Sequence, residues 1–375
     1  MNFLSQNSLH DFTGKRVLVR VDFNVPLADE IISPHESYRI ESAAKTIEWL
    51  QSADAKIILL SHIGRQGDSL RPVADYIQKR FPHWNLEFIP SLQGQLVSEK
   101  VANLKNGNCI LLENVRSHPG EESNDLDFAG QLASLGELYV NDAFAASHRK
   151  HASIVGIPKF LPSFAGFLVE SEIHQLQHAL HPIKPSVLIM GGIKFETKLP
   201  LIEKFLPKYQ KVILGGGLLN TFLKQSGYQI GKSTHDTSAN LESLLDNRKI
   251  IIPDQVTVER DDRLVITIPV EDVQENDCIV DIMISHDMHK IIENAQTIVW
   301  NGPLGWYERG YVESSRDIAF SLIPEDQVSL VGGGDTVTLL KQENLDQRIT
   351  FLSTGGGAML EYLEQGTLPG LEVLK

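Results

Sequence analysis

A glycine-rich turn followed by an aspartate is the segment of this sequence best suited to bind a phosphate chain. Its sequence is Gly332-Gly333-Gly334-Asp335-Thr336. Glycines let backbone N–H groups approach a bulky anion, and the N-terminus of a following helix adds partial positive charge. Asp335 offers the oxygen ligand that a phosphate-bound Mg²⁺ takes. The turn therefore predicts a nucleotide-phosphate site with its metal, although a tight turn with an aspartate helix cap has the same pattern.

Similar glycine clusters occur at 191–192, 215–217 and 355–357. Lys194 and Lys198 follow the first of them and are four residues apart, so on a helix they share one face. Lysines directed at a phosphate chain would neutralise the charge that builds up during phosphoryl transfer. A solvated helix face is the alternative for this pair.

Four arginines follow strand-like runs in different parts of the first half: Arg39, Arg65, Arg116 and Arg149. Guanidinium groups bind phosphate and carboxylate in a bidentate way. Any single one could be a surface ion-pair partner. Four in equivalent positions, together with His62 and His148, predict a site for a small, multiply charged acid.

Short apolar runs alternate with helix-period segments such as 40–50, which predicts an α/β fold of doubly wound, Rossmann-like parallel sheets. The predicted strands are 17–21, 56–60, 109–112, 138–140, 187–190, 212–214, 249–252, 297–300, 328–331 and 349–352. Ligands of such sheets bind beyond the carboxyl ends of the strands. In the first half these positions carry cationic and polar side chains, and in the second half mainly glycines and lysines. Residues 168–181 have one apolar helical face and predict a helix that joins two lobes.

Length and composition agree with a two-domain protein. The chain has 375 residues, 42% hydrophobic and 22% charged, with a net charge of −14. This charge disfavours nucleic acid and anionic membranes as partners, so an anionic substrate needs a local basic cluster. Cys109 and Cys278 lie in apolar runs and are expected to be small core residues, which fits a reducing cytosol. We expect neither an export signal nor a membrane span.

The chain resembles phosphoglycerate kinase over essentially its whole length. The motifs that carry the resemblance lie at 20–26, 60–65, 111–116, 140–144, 148–153, 301–305, 332–336, 353–358 and 368–370. The resemblance implies reversible phosphoryl transfer between 1,3-bisphosphoglycerate and ADP, giving 3-phosphoglycerate and ATP with Mg²⁺. It implies a monomer that closes about the connecting helix. The implied segments are 1–167 for 3-phosphoglycerate, 168–185 as hinge, 186–355 for nucleotide, and 356–375 returning to the first domain.

The resemblance also implies a set of site residues. Those that bind the substrate are Asp22, Phe23, Asn24, Arg39, His62, Arg65, Arg116, His148 and Arg149. Those that bind the nucleotide are Lys198, Gly215, Gly216, Asn301, Glu308, Gly333, Gly334, Asp335 and Thr336, with Asp335 also holding Mg²⁺. Arg39, Lys194, Gly356 and Gly357 would act on the phosphoryl group in transit.

The sequence departs from the family pattern at a few positions, mostly in the nucleotide half. Thr197 stands where the family usually has aspartate, Ala145-Ala146 and Ser314-Ser315 each replace Gly-Thr, and Met283 replaces a glycine. These changes put nucleotide affinity and rate in question more than reaction type. A catalytically weakened relative that only binds a nucleotide or metabolite is therefore the alternative. A dinucleotide oxidoreductase is disfavoured because no G-x-G-x-x-G motif occurs.

Overall fold

The computed structural model describes residues 1–28, 31–32, 37–65, 67–193, 195–245, 247–261 and 263–374. Contacts divide the chain into two compact units. Unit 1 is Met1–His174 with Gln365–Lys375, and unit 2 is Gln175–Glu364. The division falls inside one helix, Phe167–Leu180, and near the end of another, Gly356–Gln365. The four-segment division given above stays a prediction.

Unit 1 is built on a six-stranded parallel sheet. The strands of unit 1 are β1 Arg16–Val21, β2 Leu27–Ala28, β3 Ile31–Ile32, β4 Lys56–Leu60, β5 Leu86–Ile89, β6 Cys109–Leu112, β7 Leu138–Asp142 and β8 Ser163–Ala165. Strands β2 and β3 form a separate antiparallel pair, and the others have the order β5-β6-β4-β1-β7-β8. The helices are α1 Tyr38–Ser42, α2 Ala44–Ser52, α3 Arg71–Arg80, α4 Gln95–Ala102, α5 Leu126–Ala133 and α6 Phe167–Leu180.

Helices cover both faces of this sheet. Val17 and Val19 of β1 belong to the core that includes Ile47 of α2 and Ile77 of α3. Leu18, on the opposite face of β1, is fully buried as well. Because alternate side chains of a strand point to opposite faces, a run that is buried throughout requires cover on both sides. The apolar runs thus predicted the parallel sheet correctly.

Unit 2 contains a second six-stranded parallel sheet of order β11-β10-β9-β15-β16-β17. The strands of unit 2 are β9 Ser186–Met190, β10 Lys211–Leu214, β11 Ile250–Ile251, β12 Gln255–Glu259, β13 Val265–Pro269, β14 Cys278–Ile282, β15 Thr297–Asn301, β16 Val328–Gly332 and β17 Phe351–Leu352. The helices of unit 2 are α7 Phe195–Phe205, α8 Gly216–Gln225, α9 Glu242–Leu245, α10 His286–Glu293, α11 Glu313–Ser321, α12 Gly334–Gln342 and α13 Gly356–Gln365, and α14 Pro369–Glu372 belongs to unit 1.

Several elements differ from the sequence prediction. Strands β12, β13 and β14 form an antiparallel sheet that the search for buried βα units missed. Val256 and Val258 of β12 are buried while their neighbours are half-exposed, which is the alternation of a one-sided strand. The helical segment 40–50 is two helices, because α1 ends before Ala43 and α2 begins after it. Within the described part of the chain, no helix has both the length and the apolar character needed to cross a bilayer.

Candidate active site

The first polar cluster lies beyond the carboxyl ends of β1 and β4. These strands are neighbours, with Arg20 opposite Leu60, so residues two positions later fall side by side. Nη1 of Arg39 donates to Oδ2 of Asp22 at 2.8 Å. Nδ1 of His62 lies 3.7 Å from the other oxygen of Asp22. The structure therefore brings together three of the residues expected to bind a small acid.

His62 is a neutral hydrogen-bond donor in this cluster. Nη2 of Arg20 lies 3.0 Å from its Nδ1, and because a guanidinium group only donates, Nδ1 is the acceptor and Nε2 carries the proton. Burial lowers the pKa of His62 to about 3, with Arg20 and Arg149 acting in the same direction against Asp22. At neutral pH the imidazole can thus donate from Nε2 to an anionic ligand without carrying charge.

Asp22 stays ionised although it is buried. Burial raises the pKa of its carboxyl, but His62, Arg39 and Arg20 outweigh that effect and bring the pKa below its ordinary value. Since His62 is neutral, we attribute the stabilisation to the two guanidinium groups. Asp22 therefore fixes the position of Arg39, the arginine of the cluster that is in contact with it.

Arg20 was missed by the sequence reasoning although it organises the cluster from behind. It is 1% exposed, and its Nε donates to Oγ of Ser153 at 2.9 Å. Oγ of Ser153 in turn donates to Oε1 of the fully buried Glu121 at 2.6 Å. Burial raises the pKa of Glu121, against the charge of Arg20. An arginine inside an otherwise apolar strand was the signal that could have revealed this network.

A second group of predicted residues is linked through the loop after β4. The backbone N–H of Gly64 donates to Oδ1 of Asn24 at 2.9 Å, and the carbonyl of Gly64 accepts from Nη1 of Arg116 at 2.6 Å. The side chain of Arg65 is exposed in the same loop. Asn24 and Arg116 are therefore held at one edge of the sheet.

Three further predicted residues have distinct environments. Nε of Arg149 donates to Nε2 of His148 at 3.3 Å, so the proton of that imidazole is on Nδ1. This Nδ1 is buried and has no partner among the described residues, which leaves a donor for a ligand. The side chain of Phe23 is fully buried in the core, so only its backbone could contact a ligand.

We expect the neutral state of His62 to make the protein sensitive to acid. Its pKa is about 3 in the folded protein and 6.5 in the unfolded chain. The unfolded chain therefore binds more protons between these values, and stability falls as the pH drops from 6.5. Between pH 7 and pH 4.5, wild type should lose about 2 to 3 kcal/mol more free energy of unfolding than His62→Gln. Urea titrations at both pH values, with exposed His10→Gln as control, measure this difference; equal losses in wild type and His62→Gln would contradict it.

The second site lies in unit 2, where two helix N-termini come together. Helix α12 begins at Gly334 and α13 at Gly356, as the glycine motifs predicted. A methyl group added to Gly356 would lie 3.7 Å from the backbone nitrogen of Gly334. Gly333, the N-cap of α12, has a φ of 102°, which a side chain would strain. The N–H groups at the starts of two helices, and the positive ends of these helices, therefore meet at one place, which suits a phosphate chain.

The loops after β9 and β15 complete the polar part of this site. Nζ of Lys198 donates to the carbonyl of Gly191. A side chain on Gly191 would collide with the carbonyl of Pro303, at 2.0 Å, so glycine is required for the two loops to pack. Nδ2 of Asn301 donates to the carbonyl of Gly332 at 2.9 Å, and the buried hydroxyl of Thr336 accepts from the N–H of Gly302 at 2.9 Å. Asn301 and Thr336 thus tie the loop after β15 to the start of α12.

A cavity adjoins these residues. It is lined by Gly192, Ile193, Gly216, Gly217, Asn220, Thr234, Cys278, Ile279, Val280, Asp281, Ile282, Pro303, Leu304, Gly305, Trp306, Tyr307, Glu308 and Asp335. Gly215 lies directly beside it, since a methyl group there would meet the side chain of Leu304. A cavity with apolar walls and a few polar groups suits a flat aromatic ring such as a nucleobase. Cys278 lines this cavity and is only half-buried, so the expectation of a core cysteine is correct for Cys109 and wrong for Cys278.

Asp335 is the residue of this site that could hold a divalent metal. It is exposed in the first turn of α12, and its Oδ1 accepts from the hydroxyl of Tyr307 at 3.2 Å. No group of three or more histidine, cysteine or acidic ligands occurs among the described residues. Mg²⁺ is commonly held by one or two carboxylates together with water and substrate phosphates, so a single carboxylate fits this ion.

The structure accounts for some departures from the family pattern. The hydroxyl and the backbone N–H of Ser314 both donate to Asp281, a residue of the cavity wall. The hydroxyl of Ser315 accepts from the N–H of Leu304 at 3.4 Å. Both serines therefore support the cavity wall, while Met283 is 49% exposed. Lys194 lies outside the described residues, as does the side chain of Thr197.

Comparisons with known proteins agree along the whole chain. A family model described as phosphoglycerate kinase matches residues 7–366. Phosphoglycerate kinases from Borrelia hermsii and Herpetosiphon aurantiacus are each 38% identical to this chain, with 97% of both chains covered. The solved phosphoglycerate kinase of Coxiella burnetii has a TM-score of 0.81 at 33% identity and covers 99% of this chain and 98% of its own. That of Pyrococcus horikoshii has a TM-score of 0.86 at 27% identity and covers 100% and 98%.

Proposed function

The chain belongs to the phosphoglycerate kinase family, and we propose that the two sites described above divide the family's reaction between them. The reaction is the reversible transfer of a phosphoryl group between 1,3-bisphosphoglycerate and ADP, which gives 3-phosphoglycerate and ATP. The cluster of unit 1 takes the acid and the site of unit 2 takes the nucleotide. The observation that carries this assignment is the meeting of two helix N-termini next to an apolar cavity in unit 2. Separate calorimetric titrations with ADP and 3-phosphoglycerate, in wild type and site variants, test it.

In unit 1, we assign the glycerate end to Asp22, Asn24 and His62, with His62 donating from Nε2. Asp22 is ionised and accepts from a glycerate hydroxyl while it holds Arg39 in place. Arg65, Arg116 and Arg149 take the 3-phosphate, helped by the Nδ1–H of His148 and the backbone of Phe23. Guanidinium pairs with phosphate are bidentate, so these residues bind and orient the acid together.

In unit 2, the base occupies the apolar cavity beside Gly215 and Gly216, and Glu308 accepts from the ribose hydroxyls. Lys198 and the N-terminus of α12, with Gly333, Gly334 and Thr336, bind the phosphate chain, and Asn301 positions the adjacent loop. The backbone N–H groups of Gly356 and Gly357, at the N-terminus of α13, donate to the phosphoryl group. Each of these groups is a fixed dipole or charge that needs no rearrangement during the reaction.

The chemistry requires charge stabilisation and no general base. When ATP forms, an oxygen of the ADP β-phosphate bonds to the phosphorus of the acyl phosphate, and the C1 carboxylate leaves with the bonding electrons. A carboxylate is a weak base, so it leaves without being protonated, and the attacking phosphate oxygen has no proton to lose. Arg39 and Lys194 therefore act by neutralising the phosphoryl group in transit. Mg²⁺, held by Asp335, supplies further neutralisation of the nucleotide phosphates when it is bound.

We expect Asp335→Asn to raise the Mg²⁺ concentration needed for half-maximal rate by at least about tenfold. A neutral amide oxygen keeps the hydrogen bond from Tyr307 but offers Mg²⁺ no charge. Initial rates measured over a Mg²⁺ series give this value. Asp346→Asn, in the same unit on the surface, is the control, because its partner is Lys341 at 3.6 Å. An unchanged Mg²⁺ dependence in Asp335→Asn would contradict the assignment.

We further propose that the enzyme works as a cytosolic monomer whose units close around both ligands. The reasons are the need to exclude water from the phosphoryl group and the need for direct contact between the two substrates. Sedimentation tests the monomer, and X-ray scattering with each ligand and with both tests the closure.

A further inference from the structure

The wall of the nucleotide cavity contains the buried side-chain amide of Asn220. Asn220 is 5% exposed, and its Nδ2 donates to the carbonyl of Thr234 at 3.0 Å. Because a carbonyl oxygen only accepts, this contact fixes the orientation of the amide. Oδ1 of Asn220 has no hydrogen-bond partner within the part of the chain that the structure describes. A buried acceptor of this kind is costly unless a ligand satisfies it.

Helix α8 places Asn220 in the wall of the cavity, beside the positions assigned to the adenine base. Gly216 and Gly217 precede Asn220 by four and three residues, so the three share one face of the helix, and all three line the cavity. The facing walls include the apolar side chains of Leu304 and Ile279. The ribose already has an exposed carboxylate in Glu308, whereas Asn220 is a neutral acceptor among apolar groups.

We propose that Oδ1 of Asn220 accepts a hydrogen bond from the exocyclic 6-amino group of adenine and makes Asn220 a specificity-determining residue of this enzyme. The inference rests on the proposed function of unit 2. Guanine and hypoxanthine present a carbonyl oxygen at the same ring position, so two acceptors would face each other and both would lose their hydrogen bonds to water. A site built around one buried acceptor rejects such a ligand because the acceptor stays unpaired.

Calorimetric titration with three nucleoside diphosphates tests the proposal without depending on turnover. The ligands are ADP, purine riboside diphosphate, which lacks the 6-amino group, and inosine diphosphate, which has a 6-oxo group. Wild type should bind ADP about tenfold more tightly than purine riboside diphosphate. It should bind inosine diphosphate no more tightly than purine riboside diphosphate. In Asn220→Leu, which keeps the branched shape of the side chain but removes the acceptor, the ratio between ADP and purine riboside diphosphate should fall to within about twofold.

Thr221→Val is the matched control, since it removes a buried hydroxyl from the next position of the same helix. That hydroxyl donates to the carbonyl of Gly217 at 2.8 Å and accepts from the N–H of Asp236 at 3.0 Å. The control should keep the wild-type ratio. Equal binding of ADP and purine riboside diphosphate by wild type would overturn the inference and leave the proposed function standing. A tenfold ratio that survives in Asn220→Leu would do the same. Absence of binding by every nucleotide would overturn the proposed function and the inference with it.

Discussion

Replacing Lys194 with alanine is expected to lower kcat by about 10² to 10³-fold, with little change in the free energy of unfolding. The transferred phosphoryl group carries spread negative charge in the transition state, and the reaction offers no proton transfer that could share the catalytic load. An ammonium group that acts mainly in the transition state lowers kcat when it is lost, more than it raises KM. In the sequence, Lys194 follows the glycine pair 191–192 and directly precedes α7, the helix that carries Lys198.

Initial rates of wild type and Lys194→Ala, together with thermal unfolding of both, measure the two parts of this prediction. Lys224→Ala is the charge-matched control, because Lys224 is exposed on α8 of the same unit. A rate within about threefold of wild type would contradict the role of Lys194 in stabilising the transition state.

Replacing Arg39 with alanine is expected to lower kcat/KM for 3-phosphoglycerate by about 10³-fold or more. Arg39 is the only arginine of the predicted acid site that has an ion pair with Asp22 among the described residues. The change removes a guanidinium from the ligand and also leaves the buried Asp22 carboxylate with Arg20 as its main source of positive charge. Two effects thus lower the rate together: the acid loses a contact, and Asp22 is misplaced or partly protonated.

Arg39→Lys separates these two effects, because lysine keeps the positive charge but lacks the planar guanidinium group that binds in a bidentate way. We expect it to recover part of the rate, and Arg80→Ala to be indistinguishable from wild type. The side chain of Arg80 is 58% exposed, with Nε 3.6 Å from Oε1 of Glu41 and the guanidinium over the ring of Phe81. Its replacement therefore changes the charge of unit 1 without removing a residue of the predicted acid site. Loss of activity in Arg80→Ala equal to that in Arg39→Ala would show that net charge matters, and would contradict a specific role for Arg39.

The sequence predicted the parallel sheets and the meeting of Asp22 with His62 because both follow from local rules. Strands buried on two faces are continuous apolar runs, and polar residues such as Asp22 and His62 directly after adjacent runs must meet at one edge of the sheet. The glycine motifs at 332–336 and 355–357 predicted the starts of α12 and α13 for a similar reason, because the backbone conformation of the turn before a helix favours glycine locally.

The sequence could not give the contacts that depend on residues far apart in the chain. The neutral state of His62 follows from its burial and from the neighbouring Arg20. The side chain of Arg20 is in turn bonded to Ser153, which is bonded to Glu121, and both residues come more than a hundred positions later in the chain. The unpartnered oxygen of Asn220 is visible only once Thr234 is known to occupy the amide nitrogen. The antiparallel sheet containing β12 was missed because a one-sided strand is half polar and does not stand out as an apolar run.

The rate of ADP formation from ATP, Mg²⁺ and 3-phosphoglycerate tests the central claim most directly. A coupled assay should be run on wild type, Arg39→Ala and Arg80→Ala. The account predicts robust turnover that requires 3-phosphoglycerate, is nearly abolished in Arg39→Ala and is unchanged in Arg80→Ala. Wild-type protein that is stabilised by nucleotide but does not turn over, or turnover that survives in Arg39→Ala, would contradict it.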